Sequence, residues 1–197
     1  NFSVPVRSLI EAGGSLLAGT DAGLYQIINN RILKIGSEES FTLFYSREMK
    51  LLFSGGPKGL ACYKYEDSFK KINSPRIDGE DVIGIAVENN TTGDAAEFWL
   101  GTRYNGAIRI KVNKDLTFVS DSYNNSDGLP DGPVIPSTIN SKAVFETIRG
   151  LYGFTNENVV KESVPDSLKN NKIFSKGYFS VLQNSYENLG KSVSFVI

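Results

Sequence analysis

The sequence contains no histidine, and this absence excludes several kinds of catalytic site. Without an imidazole, Ser-His-Asp catalysis, Cys-His catalysis, histidine proton shuttles and most zinc sites are excluded. The single cysteine, Cys62, has no second cysteine with which to form an intrachain disulfide or a thiolate metal cluster. It follows Leu60 and Ala61 in a strand-like segment, so we predict a buried, unreactive thiol. The sequence therefore predicts no cofactor and no enzymatic activity for this segment.

Long apolar runs and a surplus of one charge are also missing. No stretch approaches the roughly 20 apolar residues that a helix needs to cross a bilayer. The 21 Lys and Arg residues nearly balance the 22 Asp and Glu residues, and the formal net charge is -1. We therefore predict that the segment binds neither nucleic acid nor a membrane surface. The chain does not start with methionine and residues 192–197 resemble an interrupted strand, so we expect it to be part of a longer protein.

The feature that is present is a fourfold repeat. Each copy contains an apolar strand, a Gly or Glu, a short polar turn, a glycine and a second apolar strand. The turn glycines are residues 23, 59, 106 and 150, which gives steps of 36, 47 and 44 residues. A glycine supplies the positive φ that lets two strands reverse tightly. The four copies are Leu16–Tyr25, Leu52–Ala61, Trp99–Ile108 and Val144–Tyr152.

The strand patterns around the third turn complete a four-stranded unit. Val82–Val87 is nearly all apolar, as expected of an inner strand covered on both faces. Ala107–Val112 alternates apolar and charged residues, which is typical of a half-buried strand. Glu97–Leu100 and the more polar Leu116–Ser120 supply the other two strands. Four strands in about 40 residues is the size of a β-propeller blade.

We therefore predict an all-β fold in which residues 1–197 form one β-propeller segment. Propellers have roughly four to eight blades arranged in a closed ring, so we expect these four to five blades to belong to a larger propeller with further blades. The predicted blades lie at about 6–35, 41–73, 82–121 and 134–168, followed by a partial blade at 175–197.

The turn segments resemble the two-component regulator propeller repeat, whose pattern joins a Gly-Thr strand to a Gly-Leu strand. Leu17–Thr20 with Gly23–Tyr25 matches this pattern, and Trp99–Thr102 with Gly106 matches except that Ala107 replaces leucine. Together the matches cover most of residues 6–160.

The later part of the chain resembles a late blade of the same family. Gly128–Pro130 precedes a strand, and Ala143–Thr147 followed by Gly150–Phe154 matches the hairpin of that blade. Two positions depart from the pattern, because Gly56 replaces threonine in the second unit and Glu146 replaces glycine in the fourth.

The resemblance implies a sensory role. Propellers of this family are extracytoplasmic sensors of membrane-bound histidine kinases, including hybrid systems of gut bacteria that respond to glycans. It implies a periplasmic or extracytoplasmic location, downstream signalling domains, homodimer contacts and a glycan or other small-molecule ligand. Two alternatives stay open, a scaffold or protein-interaction propeller and a carbohydrate-active propeller enzyme acting through paired carboxylates.

The candidate ligand-binding residues lie in turns that a propeller gathers on one face. The turn that is one residue longer than the others contains Arg103, Tyr104 and Asn105, and the equivalent turns contain Lys58 and Arg149. An aromatic face with amide and guanidinium donors suits a sugar or an acidic sugar, although all five residues also fit plain exposed turns.

The acidic residues and the tryptophan predict no further site. Asp121, Asp127 and Asp131 do not have the spacing of an EF-hand loop, so we predict no metal site. The pairs Glu38-Glu39 and Glu80-Asp81 occur in turn-rich segments and are interpreted as solvated loop charges. Trp99 occupies a strand position of the repeat, so we predict that it lies in the core.

Overall fold

A computed structural model describes residues 4–75, 77, 80–88, 95–139, 141–155 and 158–161. These residues form four antiparallel sheets of four strands, and in each sheet the strands neighbour one another in chain order. The described residues contain one short 3-10 helix, Asn125–Asp127, and no α-helix. The predicted partial blade at 175–197 and the end of the predicted blade at 134–168 lie outside the described residues.

The strands have the following bounds. The first sheet contains β1 (Val6–Ala12), β2 (Ser15–Thr20), β3 (Gly23–Ile28) and β4 (Arg31–Gly36). The second contains β5 (Thr42–Ser46), β6 (Leu51–Gly56), β7 (Gly59–Tyr65) and β8 (Phe69–Ile72). The third contains β9 (Val82–Val87), β10 (Ala95–Thr102), β11 (Ala107–Asn113) and β12 (Phe118–Tyr123). The fourth contains β13 (Ile135–Ile139), β14 (Lys142–Thr147), β15 (Gly150–Thr155) and β16 (Asn158–Lys161).

The third sheet differs from its sequence pattern in two places. Burial alternates along β9 between buried and half-buried residues, although an inner strand covered on both faces was expected. The outer strand begins at Phe118, so the prediction of a strand from Leu116 was wrong. Leu116 has a left-handed backbone with φ of 63°, and its amide donates to the carbonyl of Asn113 at 2.9 Å, which closes a turn before the strand.

The sheets pack face to face, with the first strand of each sheet touching the first strand of the next. Between the first and second sheets the core contains Leu17 and Tyr63, both buried. Between the second and third sheets the rings of Phe53 and Phe98 lie 4.6 Å apart. Between the third and fourth sheets Trp99 meets Phe145 edge-on at 4.9 Å. The all-β prediction is confirmed, and each sheet has the four-stranded form of a propeller blade.

Cys62 and Trp99, which were predicted to lie in the core, are confirmed as buried. Cys62 is fully buried among the side chains between the second and third sheets, and burial raises the pKa of its thiol to about 12. Trp99 is fully buried and contacts aromatic rings of the third and fourth sheets. A thiol with so high a pKa is almost entirely protonated at neutral pH and is a poor nucleophile.

The chain entering each new sheet crosses closely over a glycine of the sheet before it. A Cβ atom at Gly19 or at Gly55 would lie 2.5 Å from the nearest atom of the next sheet's entering segment, Ser40 Oγ or Val82 Cγ1 respectively. At Gly101 a Cβ atom would collide with the carbonyl oxygen of Val134. Such contacts leave no room for a side chain, so these glycines set how closely successive sheets approach.

Candidate functional site

In each sheet, the repeat turn is the hairpin turn between the second and third strands. Three of these four repeat turns are closed by a threonine hydroxyl. Each hydroxyl donates to the carbonyl oxygen of the turn glycine at 2.7–2.9 Å and accepts a hydrogen bond from a backbone amide of the turn tip at 2.9–3.1 Å. Each threonine is buried, so these bonds satisfy a hydroxyl that has little access to water. Thr20 donates to Gly23 and accepts from Ala22. Thr102 donates to Gly106 and accepts from Asn105. Thr147 donates to Gly150 and accepts from Arg149.

The second turn lacks this threonine for a steric reason. A Cβ atom at Gly56 would collide with the carbonyl oxygen of Glu39, which belongs to the segment that connects the first and second sheets. A threonine therefore does not fit at this position, and the departure from the repeat pattern follows from the close approach of the connecting segment.

The long turn of the third sheet is held by an ion pair and a backbone hydrogen bond. Arg103 Nε lies 2.5 Å from Asp81 Oδ2, and the Arg103 amide donates to the Asp81 carbonyl oxygen at 2.9 Å. The Arg103 and Asp81 side chains are only 17% and 21% exposed, so water screens this pair incompletely. The Asn105 amide group donates to Glu80 Oε2 at 3.0 Å. The interpretation of Glu80 and Asp81 as solvated loop charges was therefore wrong for Asp81.

The tip of this turn presents an exposed aromatic ring. The Tyr104 side chain is 70% exposed, although its neighbours Arg103 and Asn105 are both bound to the segment before β9. The backbone of this turn is thus held on both sides of an exposed ring.

The turn of the fourth sheet lies beside the same tip. Asn105 forms an isolated parallel bridge with Gly132, and a Cβ atom at Gly132 would lie 3.8 Å from Ile148 Cδ1. Arg149 follows Ile148 and is exposed. Four of the five predicted residues, all except Lys58, therefore lie in neighbouring turns of the third and fourth sheets. We call this region the turn surface, formed by Arg103, Tyr104, Asn105, Gly132, Ile148 and Arg149.

Sequence reasoning missed Ile148 and Gly132 on this surface. Ile148 is 43% exposed at the tip of a turn, and an isoleucine in a turn tip was the available signal, because turn tips favour polar residues. Gly132 lies in the long connection after β12, where the sequence shows only that a turn is present.

Lys58 lies at a different place, beside a cavity of about 140 Å³ at the second sheet. Carboxylates and a second lysine line this cavity, and Lys71 Nζ lies 2.8 Å from Glu38 Oε1. The Lys71 hydrogen bond lowers the pKa of Glu38 below its ordinary value. Tyr63 also lines the cavity, and burial raises the pKa of its side chain to about 12. The charges around Lys58 are thus largely compensated.

Asp121, Asp127 and Asp131 do not form a metal-binding cluster. The Asp127 carboxylate accepts a hydrogen bond from the Asn124 amide at 2.9 Å and caps the 3-10 helix. Within the part of the chain that the structure describes, no three carboxylate, thiol or imidazole groups converge on a point that would hold a metal ion. The same described ranges include no helix that is long and apolar enough to span a bilayer.

Comparison with known proteins shows the architecture. No protein-family profile matches the chain, and no curated protein sequence matches it. The extracellular domain of the one component system BT4673 from B. thetaiotaomicron superposes with a TM-score of 0.59 at 16% identity, over 82% of this chain and 22% of that one. An ancestral GH74 enzyme superposes with a TM-score of 0.59 at 15% identity, over 83% of this chain and 25% of that one.

A third similar structure is the Cps50 (Swd1) β-propeller domain of Myceliophteria thermophila, with a TM-score of 0.53 at 12% identity, over 76% of this chain and 54% of that domain. The chain is a β-propeller segment. It spans about a quarter of the length of the first two structures. At such low sequence identities, the superpositions establish the fold alone. The function has to be argued from the turn surface.

Proposed function

We propose that this segment is the ligand-binding part of an extracytoplasmic sensor propeller and that the ligand binds at the turn surface. The observation that carries the proposal is the exposed ring of Tyr104 on a turn fixed by Asp81 and Glu80. An exposed aromatic residue on a fixed turn keeps its contact area available, and little loop entropy is lost on binding. The fold likeness to an extracellular domain of a signalling protein supports the location and the role.

The chemistry of the turn surface suits a sugar or an acidic sugar. The ring of Tyr104 offers an apolar face to the C–H groups of a pyranose, and Ile148 extends this apolar contact. The Arg149 guanidinium supplies hydrogen-bond donors for hydroxyl or carboxylate groups. Glu80, which is bound to Asn105, provides acceptors at the same edge.

A catalytic role at this surface is the weaker proposal, although one similar structure is a GH74 enzyme. Glycoside hydrolysis requires two carboxyl groups facing one bond. At the turn surface, Asp81 is paired with Arg103 and Glu80 is bound to Asn105, so both nearby carboxylates already have partners. We therefore propose binding without turnover for this segment.

The first sheet has an exposed apolar face that a further blade could cover. The residues facing away from the second sheet include Leu9, 48% exposed, and Ile32, 41% exposed. In the second, third and fourth sheets the corresponding face is covered by the preceding sheet. We propose that another blade covers it in the longer protein, with signalling domains and homodimer contacts elsewhere in that protein.

Glycan binding by the full 197-residue chain tests the proposal. A glycan array measures binding to immobilised fragments, and calorimetry measures binding to soluble ones. We expect Tyr104→Ala to weaken binding about tenfold, since ring contacts of this kind contribute roughly 0.5–1.5 kcal/mol beyond area burial. Tyr104→Phe keeps the ring and is expected to retain most of the affinity. Equal affinity of Tyr104→Ala and the wild type would remove the turn surface as the site.

A negative glycan screen separates the remaining alternatives. If no sugar binds but a stable protein partner is captured and Tyr104→Ala releases it, the segment is a protein-interaction propeller. If a polysaccharide is cleaved, and Glu80→Gln or Asp81→Asn abolishes cleavage in a folded chain, the enzyme alternative replaces the proposal.

A further inference from the structure

The fourth sheet breaks the glycine pattern described above. On β2, β6 and β10 a glycine lies where the segment entering the next sheet crosses, and no side chain fits there. Alignment of the repeats places Glu146 of β14 at the equivalent position. The far face of the fourth sheet therefore carries a carboxyl group where the other three sheets present bare backbone. The three glycines are Gly19, Gly55 and Gly101.

Glu146 is half-buried and has a neutral hydrogen-bond donor. Ser137 Oγ on the neighbouring strand donates to Glu146 Oε1 at 3.0 Å. The strand register places the apolar residues Ile135 and Leu151 directly opposite Glu146 on its two sides. Burial raises the pKa of Glu146, and the Ser137 hydrogen bond opposes this shift only in part. The site therefore favours the neutral carboxyl more than water does.

Within the described part of the fourth sheet, no cation on this face lies close enough to compensate an ionised Glu146. Among the described residues of the fourth sheet, the other charged group on the same face is Lys142, four residues along β14 and exposed. Four strand residues span about 13 Å, which is beyond the screening distance of salt at physiological strength. Arg149 lies in the turn beyond the strand and is exposed, and β13 and β15 carry no charged residue.

We propose that Glu146 makes the fourth sheet a proton-sensitive element, which is held more firmly when this carboxyl is neutral than when it is ionised. Because the crossing glycine is replaced, the close approach that joins the first three sheets to their successors cannot be repeated at β14. An ionised Glu146 has to be hydrated, and hydration opens the far face of the sheet. This inference does not depend on any ligand at the turn surface.

The sign of the pH dependence follows from proton binding. With its pKa raised in the folded chain, Glu146 binds more protons in the folded state than in the unfolded state at pH values between its ordinary and its raised pKa. The stability contributed by the neutral carboxyl is therefore present at low pH and is lost as the pH rises through the raised pKa. Above that pH the ionised carboxylate imposes its full cost on the fourth sheet.

Thermal unfolding of the full chain between pH 4 and pH 8 tests the proposal. We expect Glu146→Gln to remove part of the decline in Tm with rising pH and to unfold about 2–5 °C above the wild type at pH 8. Glu11→Gln, at an exposed carboxyl on β1, is the matched control and should keep the wild-type slope. Parallel curves for the wild type and Glu146→Gln would overturn the proposal.

A second variant and a local measurement separate proton sensitivity from a general packing effect. Ser137→Ala removes the donor that favours the carboxylate, so we expect the decline in Tm to move to higher pH, which loss of packing alone would not cause. Amide hydrogen exchange, corrected for its intrinsic pH dependence, should show protection falling in β13–β15 between pH 5 and pH 8. If Glu146→Gln does not fold, unchanged protection in these strands of the wild type overturns the proposal.

Discussion

At the residue scale, Thr102 is the position where a single oxygen decides the shape of the candidate site. Its hydroxyl donates to the Gly106 carbonyl oxygen and accepts from the Asn105 amide, both at 2.9 Å. Thr102→Val keeps the volume but removes both hydrogen bonds of the hydroxyl, so we expect a loss of about 0.5–1.5 kcal/mol in the free energy of unfolding, measured with urea. Thr102→Ser keeps the hydroxyl and should lose much less. Equal stability of Thr102→Val and the wild type would contradict this prediction.

The same scale shows what residue patterns predict well and poorly. The turn containing Arg103 was located from the sequence because its length differs from the other turns. Its partner Asp81 was not predicted, because 22 residues separate the two in the chain and only the packing of the connection before β9 joins them. Leu116 also gave no signal, since a leucine with positive φ looks like the start of a strand.

At the scale of elements, the contact between the third and fourth sheets depends on Gly101. We expect Gly101→Ala to cost about 1–3 kcal/mol, because its Cβ would press against the Val134 carbonyl and force the entering segment away. Ser122→Ala, at an exposed position of β12 in the same sheet, is the control and should change stability by less than about 0.5 kcal/mol. Urea unfolding measures both, and an unaffected Gly101→Ala would mean that this crossing does not govern sheet spacing.

In the third sheet, the bounds of the apolar strand Val82–Val87 were predicted correctly at both ends. The alternation in Ala107–Val112 predicted β11 to within one residue, because every second side chain reaches the core between sheets. The closeness of the sheets was not predicted. The meaning of Gly19 and Gly55 as crossing points appears only when the next sheet is in place, since a glycine before a turn also fits a hairpin without such a crossing.

At the scale of the whole molecule, the free face of the first sheet predicts self-association. Leu9 and Ile32 lie on this face and are 48% and 41% exposed. We expect the wild-type chain to form concentration-dependent oligomers in sedimentation velocity and the Leu9→Lys/Ile32→Lys double variant to remain monomeric with unchanged circular dichroism. Val119→Lys, at a 50% exposed position of the third sheet, is the control and should associate like the wild type. If the wild-type chain stays monomeric at all concentrations, the prediction that this face drives self-association is wrong.

The threonine-closed turn has a consequence for how such a chain can acquire new specificities. The same hydroxyl spans three residues from Thr20 to Gly23 and four from Thr102 to Gly106, and in both cases it binds only backbone groups of the tip. A tip can therefore lengthen and change its side chains while the strands below keep their register. We therefore expect these hairpins to accept an inserted recognition loop without redesign of the blade beneath it.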